Sequence, residues 1–454
     1  MYAAIFFAVA RIGAIAVTLN NMFKPLEVKL ALELSGCSVL FTSSLRGRAL
    51  KTLLAESNRD IQVHLFNDTT SGIESCPISD ANLADYEREL VRIGKNVSPY
   101  MPCNLQFTSG STGTPKIATL SSHNIVNNAR FVAHRMNLTS SDILCCAPPM
   151  FHCFGLILGL LATIASGATI VYPSEMFEPR KTLVALEREG CTALHGTPTM
   201  VKSLLDACEA SGLDSISVKV RKGIIAGAPV SPQLVQRTIA RFGMSEFTSS
   251  YGLTEASPTC FNSFGDDPLE KRLYTAGKIM PHACAKIVDG HGQIVPVGQR
   301  GELCIAGYQV HAGYWNDRAK TNAAIYKDKE GLVWLRTGDE ASFDQDGYCT
   351  ITGRLKDIIV RGGENILPRD IEERLEQHED ISLAAVVGLA DEHYGEVPAA
   401  FLKPSTPSSS QKPSPEQIRA WVGEYLVTGS GKIQKHILAQ IGNKLVSKRR
   451  RAKI

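Results

Sequence analysis

The chain lacks a strong charge of either sign. Its 48 Lys and Arg against 45 Asp and Glu leave a formal net charge of +3 over 454 residues, too small a bias to hold a polyanion, so nucleic acid is not expected as a partner. Cys-x-x-Cys pairs are missing as well, and the 12 cysteines fall mostly within apolar runs, where they read as reduced core residues of an intracellular protein. No basic lead-in precedes the apolar first 20 residues, and Arg11 interrupts them at a depth where charge is costly in lipid. A buried helix followed by a short strand at residues 14–19 is expected there, not a leader or a membrane span, and the chain then opens as if inside a fold.

The length exceeds what one core fills, so more than one domain is expected. Apolar residues at 44% and charged residues at 20% are globular values. An apolar strand signal at Leu105, Gln106 and Phe107 runs into Thr108, Ser109, Gly110, Ser111, Thr112, Gly113, Thr114, Pro115 and Lys116. Glycine lets backbone N–H groups turn into one concavity, hydroxyls add donors, and lysine adds a mobile charge; together they describe a cradle for the phosphates of a nucleotide. It is not a Walker A loop, because Pro115 stands where glycine should be and Ile117 where Ser or Thr should hold magnesium. A second string is Ser249, Ser250, Tyr251, Gly252, Leu253, Thr254 and Glu255. The tyrosine offers a flat face to a base, Gly252 allows close backbone approach, Thr254 can hydrogen-bond an α-phosphate, and Glu255 is a hard oxygen ligand for magnesium. By itself the string also reads as a plain strand and turn with Glu255 at a helix start.

Around these strings the pattern alternates helix and strand, the rhythm of an α/β fold. A helix is expected over residues 24–36 with a buried strand over 37–42, and peripheral strand and loop over 57–100. Ser121, Ser122, His123 and Asn124 cap a helix reaching about residue 136. Strands at 168–172, 193–195 and 223–225 alternate with helices at 179–190 and 198–211. The small loops Gly196-Thr197-Pro198 and Ala226-Gly227-Ala228-Pro229 fall at carboxyl ends of strands, where open α/β sheets bind ligands. From residue 283 the pattern turns to short β units, including the Asp289-Gly290 turn and Gly313-Tyr314-Trp315. Asp339, after Gly338 at an expected strand end, is placed to accept both hydroxyls of a ribose.

The Thr108 to Lys116 string resembles the phosphate loop of the adenylate-forming superfamily, which includes acyl-CoA synthetases, coumarate ligases, luciferases and peptide-synthetase adenylation domains. The later motifs follow in the family's order over nearly the whole chain, and by eye they are nearest to medium-chain acyl-CoA synthetases. The resemblance implies a large α/β N-terminal domain over residues 1–353, made of sheets flanked by helices plus a β-rich subdomain. A small, mobile α+β C-terminal domain over residues 354–454 would carry the catalytic lysine. In Gly353-Arg354-Leu355-Lys356-Asp357, Arg354 would contact nucleotide and Lys356 would be the hinge. Thr428-Gly429-Ser430-Gly431-Lys432 matches the loop whose lysine enters the active site. Ala226, Gly227 and Ala228 would pack against adenine and the acyl chain. His152, which alone reads as a satisfied histidine at a helix start, would line the acyl channel. Amino-acid adenylation domains carry an acid just after the corresponding phenylalanine; none stands between Phe151 and Gly159, so an ammonium would be buried unpaired and a plain carboxylic acid is expected.

The reaction so implied joins a carboxylic acid to coenzyme A at the expense of ATP, with Mg2+ held through Glu255, and with Thr254 and Lys432 aimed at the charge that builds on phosphate. Two departures stand beside it. The family has about 80 or more residues ahead of the point where Met1 falls. It also has roughly 20 residues between the helix near Tyr425 and the lysine loop, where this chain has only Leu426 and Val427. A nucleotide-binding paralogue that does not complete the reaction and an adenylation enzyme that loads a carrier protein therefore stay open. The terminal Ala452-Lys453-Ile454 behind a basic run approximates a peroxisomal address, which would make the import receptor a partner; a solvated basic tail has the same composition.

Overall fold

Apolar strands followed by helices that open on proline build the centre of the molecule. Helices Pro179–Arg188, Pro198–Ala210 and Pro232–Phe242 each begin where a missing N–H costs nothing. They pack Leu183, Leu186, Val201, Leu204, Val235 and Phe242 on one face of a five-stranded sheet. Its order is Glu246–Thr248, Lys222–Ile225, Ala193–Gly196, Ile143–Cys146, Thr169–Val171, all parallel. The other face is covered by helix Ser122–Arg135 and by Phe154–Leu161. With both faces covered, Ala193–Gly196 is buried at every residue, as a central parallel strand requires.

The computed structural model describes residues 1–43, 50, 61–66, 83–108, 115–210, 219–228, 230–378, 380–404, 414, 417 and 418. Strands Ala16–Thr18, Pro102–Thr108 and Lys116–Ser121 form a separate three-stranded sheet. Pro102–Thr108 and Lys116–Ser121 pair antiparallel, with Thr108 opposite Lys116. Ser121 then caps helix Ser122–Arg135, its hydroxyl accepting from Asn124 N at 3.2 Å. The β-rich part comprises Ala283–Val288, Gly301–Gly307, Val333–Phe343 and Ile325–Lys327, with Cys349–Arg354 added on Val333–Phe343. Beyond it, Ile359–Arg361, Glu364–Ile366, Ile381–Asp391 and Gly395–Pro404 make a four-stranded sheet. Helix Pro368–Glu376 closes that sheet's own core of Ile359, Ile371, Leu375, Ile381 and Val386. Among the described residues no helix is long and apolar enough to cross a membrane.

Four local expectations change. Residues 57–100 contain a strand, Gln62–Phe66, but also a helix, Leu83–Asn96, whose charge crowds its apolar spacing. The first helix, Tyr2–Arg11, buries only Phe6 completely. Strand Val39–Ser43 buries only Leu40, because it pairs with Gln62–Phe66 in a two-stranded sheet and leaves Val39 and Phe41 exposed. Asp339 is not at a strand end: Val333–Phe343 continues past it, and Gly338 at φ 69° makes a kink opposite the register slip between Glu302 and Cys304.

Candidate active site

Strand Ser250–Gly252 enters the site under tight steric control. A Cβ at Gly252 would stand 1.9 Å from Pro258 O, so only glycine lets the chain pass there. Ser249 N donates to Ser263 Oγ at 2.8 Å and Leu253 N to Pro258 O at 2.9 Å, fixing both ends of the motif. The chain then closes a helical turn, Thr254–Ala256, which delivers Thr254 and Glu255 side by side. Glu255 Oε1 accepts from Tyr314 OH at 2.9 Å and from Thr108 Oγ1 at 3.4 Å. The second string is thus joined to the last residue of the strand entering the glycine-rich loop.

Thr254 reaches the third segment. Its Oγ1 lies 3.5 Å from Cys153 Sγ, beside His152, whose Nδ1 accepts from Phe154 N at 3.1 Å. Phe154–Leu161 continues as a π-helical run in which every residue is buried, a wide-turn geometry often found at functional sites. Ala226 N donates to Gly196 O at 3.3 Å, and a Cβ on Gly227 would lie 3.6 Å from Thr197 and 4.0 Å from Phe154. The two small loops and the start of the apolar segment therefore share one corner.

The kink at Gly338 turns Asp339 inward opposite Arg354 in the register of the two strands. Arg354 Nε lies 2.7 Å from Asp339 Oδ1, and Tyr251 OH donates to Asp339 Oδ2. Asp339 is only 4% exposed. Burial pushes its carboxyl above the usual aspartate value, against the pull of Arg354 and Tyr251. Burial also works against the Arg354 charge, but Asp339, Tyr251, Glu255 and Asp357 hold its pKa above the usual arginine value. Lys356 is exposed in the turn Leu355–Asp357, between the β-rich sheet and the C-terminal one.

Thr108 thus meets Glu255, Thr254 meets Cys153 beside His152, Tyr251 and Arg354 meet Asp339, and Ala226 and Gly227 lie against the Gly196-Thr197 loop, with Lys116 opening the outgoing strand just after Pro115. Ser109, Gly110, Ser111, Thr112, Gly113, Thr114, Pro229 and Lys432 lie outside the described residues. Tyr314 and Cys153 were not expected to be there, whereas Thr197 belongs to a small loop expected at the ligand-binding end of its strand. Tyr314 carries a signal that was readable, a glycine-aromatic pair in the β-rich region, but its hydroxyl finds Glu255 only through the fold. Tyr251 differs from expectation in one respect: its hydroxyl is committed to Asp339, while its ring lies 6.3 Å from that of Phe261.

The family model for AMP-binding enzymes matches residues 1–315, and the model for their C-terminal domain matches residues 370–441. The chain belongs to the AMP-binding enzyme family. Acyl-CoA ligase sidI of Beauveria bassiana is 49% identical over 474 residues, covering 98% of this chain and 82% of that protein. The mitochondrial medium-chain acyl-CoA ligase ACSF2 of Danio rerio is 38% identical, covering 96% and 76%. ATP-bound MatB from Rhodopseudomonas palustris has the same fold, with a TM-score of 0.80 at 21% identity over 98% of this chain and 87% of that one. This AMP-binding enzyme is an ATP-dependent acid–thiol ligase that forms an acyl-CoA through an acyl-adenylate.

Proposed function

We propose that this acyl-CoA ligase activates a plain carboxylic acid, fatty or from secondary metabolism, with the residues of the site in definite roles. The observation that supports the assignment is the contact of Thr108 with Glu255 and of Tyr251 and Arg354 with Asp339, Tyr251 and Glu255 belonging to one motif. Asp339 accepts the ribose hydroxyls and Arg354 steadies it. Lys116 and the loop before it hold the β- and γ-phosphates, while Thr254 donates to the α-phosphate. An oxygen of the substrate carboxylate attacks the α-phosphorus, pyrophosphate leaves, and the thiol of coenzyme A then displaces AMP. Lys432 is assigned to the first step, where its charge opposes the negative charge on the phosphate oxygens. Loss of one such preorganised group typically costs about a hundred- to a thousandfold in rate. The domain boundary is put at residue 354, with Lys356 as the hinge between the two steps.

Among the described residues no group of three metal ligands exists. Magnesium does not need one, since one or two carboxylates with substrate phosphates hold it, and Glu255 fits that part. Bound there, magnesium neutralises phosphate charge. The start of the acyl path, Cys153 and Phe154, and the π-helical run behind it are apolar and buried, which supports an acid without a charged α-substituent. A medium-chain fatty acid, the class named for the Danio rerio relative, is the first to assay. Incubation with ATP, magnesium, coenzyme A and a panel of acids should give acyl-CoA and AMP in equal amounts for a subset of acids. A phosphopantetheinyl carrier accepted in place of coenzyme A would favour the carrier-loading alternative, and nucleotide binding with no product from any acid would favour the non-catalytic one. Peroxisomal location is proposed from Ala452-Lys453-Ile454; removal of these three residues from a tagged protein should leave it in the cytoplasm.

A further inference from the structure

Residues 309–315 cross the site in a place that none of the roles above covers. Thr119 N donates to Gly313 O at 3.0 Å, Ala312 N to Thr119 O at 3.0 Å, and Trp315 N to Ile117 O at 2.8 Å. The segment is therefore stitched to the strand that leaves the glycine-rich loop. On its other side His311 N donates to Glu255 O at 3.0 Å, and Ser257 Oγ to Gln309 O at 2.7 Å. That ties it equally to the turn carrying Glu255. One side chain repeats the link: Tyr314 OH donates to Glu255 Oε1 at 2.9 Å, and the Lys116 ammonium sits 4.7 Å from the centroid of the Tyr314 ring.

We infer that Tyr314 is a positioning residue for adenylate formation, its hydroxyl setting the Glu255 carboxylate and its ring face holding the Lys116 ammonium, so that one side chain registers metal-binding and phosphate-binding groups against each other. The inference rests on the reading of Glu255 as the metal carboxylate and Lys116 as a phosphate lysine. Tyr314 is itself well fixed. It is 8% exposed, its backbone N donates to Thr321 Oγ1 at 2.9 Å, and the His311 ring packs edge-on at 5.0 Å. Among the described residues both side-chain donors to Glu255, Tyr314 and Thr108, fall on Oε1, which leaves Oε2 for the metal. The ring does for Lys116 what a carboxylate could not: it holds a long flexible cation without neutralising it, and the full charge remains for the phosphates.

Tyr314→Phe tests this because it keeps the ring, its packing and the contact with Lys116 while removing the hydroxyl. The ligand-free variant should melt within about 2 °C of wild type. Calorimetric titration should show Mg·ATP binding weakened about tenfold or more, the scale of losing a hydrogen bond to a charged group. Binding of ATP in excess chelator should be unchanged, as should the KM for coenzyme A. In a Glu255→Gln background the same substitution should add less than about threefold, because its route of action is already gone. The inference is overturned if Tyr314→Phe binds Mg·ATP as wild type does, if it weakens ATP equally with and without metal, or if its full effect persists in Glu255→Gln. Should Glu255→Gln itself leave magnesium dependence untouched, the role of Glu255 falls and the inference with it; an effect of Glu255→Gln without one of Tyr314→Phe removes the inference alone.

Discussion

Asp339→Asn is nearly isosteric, yet it changes every contact of the proposed ribose acceptor. The two carboxylate oxygens take Arg354 Nε at 2.7 Å and Tyr251 OH in the free site, and the ribose hydroxyls need the same pair. Asparagine offers one acceptor and replaces the other with a donor. A hydrogen bond to a charged group contributes about 1.5–3 kcal/mol, so with one acceptor kept the variant should lose about 2–3 kcal/mol of ATP binding, roughly a 30- to 150-fold rise in Kd. The Arg354 side chain is 47% exposed and stays hydrated without its partner, so the melting temperature of the ligand-free variant reports the structural cost apart from nucleotide binding. Titration with ATP and with 2′,3′-dideoxy-ATP separates ribose recognition from general damage. Wild type should prefer ATP strongly, and the variant should lose most of that preference. The preference in wild type should also fade as pH drops through the Asp339 pKa, which burial places above the ordinary aspartate value, and the variant should show no such fade. A variant that discriminates the two nucleotides as well as wild type would refute the assignment.

Lys432→Ala should abolish acyl-adenylate formation while sparing thioester formation from supplied acyl-AMP; equal loss of both half-reactions would contradict its role. Gly252→Ala forces a Cβ to 1.9 Å from the Pro258 carbonyl oxygen, a backbone atom that no rotamer change can move, and should cost about 3 kcal/mol or more together with nucleotide binding; an unchanged melting temperature would show that the turn can yield. His195 joins the central sheet to the π-helical segment, donating from Nε2 to Leu158 O at 3.0 Å and accepting at Nδ1 from Ile224 N at 3.2 Å. Burial pushes its pKa down to about 4, so the unfolded chain, with a histidine near 6.5, binds the proton more readily. Its contribution to stability is full above about pH 6.5 and is lost as pH falls towards 4; the melting temperature should drop across that window, less steeply in His195→Gln, and equal slopes would refute a neutral buried His195.

Elements with local causes were legible in the sequence. Ser121 capping its helix, the prolines opening helices Pro179–Arg188 and Pro198–Ala210, and the apolar strands at 193–196 and 222–225 owe their structure to neighbours in the chain. The motif residues were legible as types, because phosphate, ribose and metal demand particular donors and acceptors. What could not be read were pairings over long separations. Tyr314 and Glu255 are 59 positions apart, and Thr108 and Glu255 are 147 apart; nothing local to a glycine-aromatic pair says that its hydroxyl reaches a carboxylate on a distant helical turn. Asp339 was misplaced at a strand end because Gly338 reads as a terminator, whereas the kink it makes is tolerated when both neighbouring strands continue to pair. Helix Leu83–Asn96 was missed because Asp85, Glu87, Arg88, Glu89 and Arg92 obscure its apolar spacing, although Arg88 with Asp85 and Arg92 with Glu89 form pairs one turn apart.

The most direct measurement is exchange of labelled pyrophosphate into ATP without coenzyme A, for the whole chain with a panel of carboxylic acids. Exchange that requires a particular acid and magnesium, and that is lost in Asp339→Asn and Glu255→Gln, is the predicted result. ATP bound at the site with no exchange for any acid in the panel would contradict adenylation by this chain.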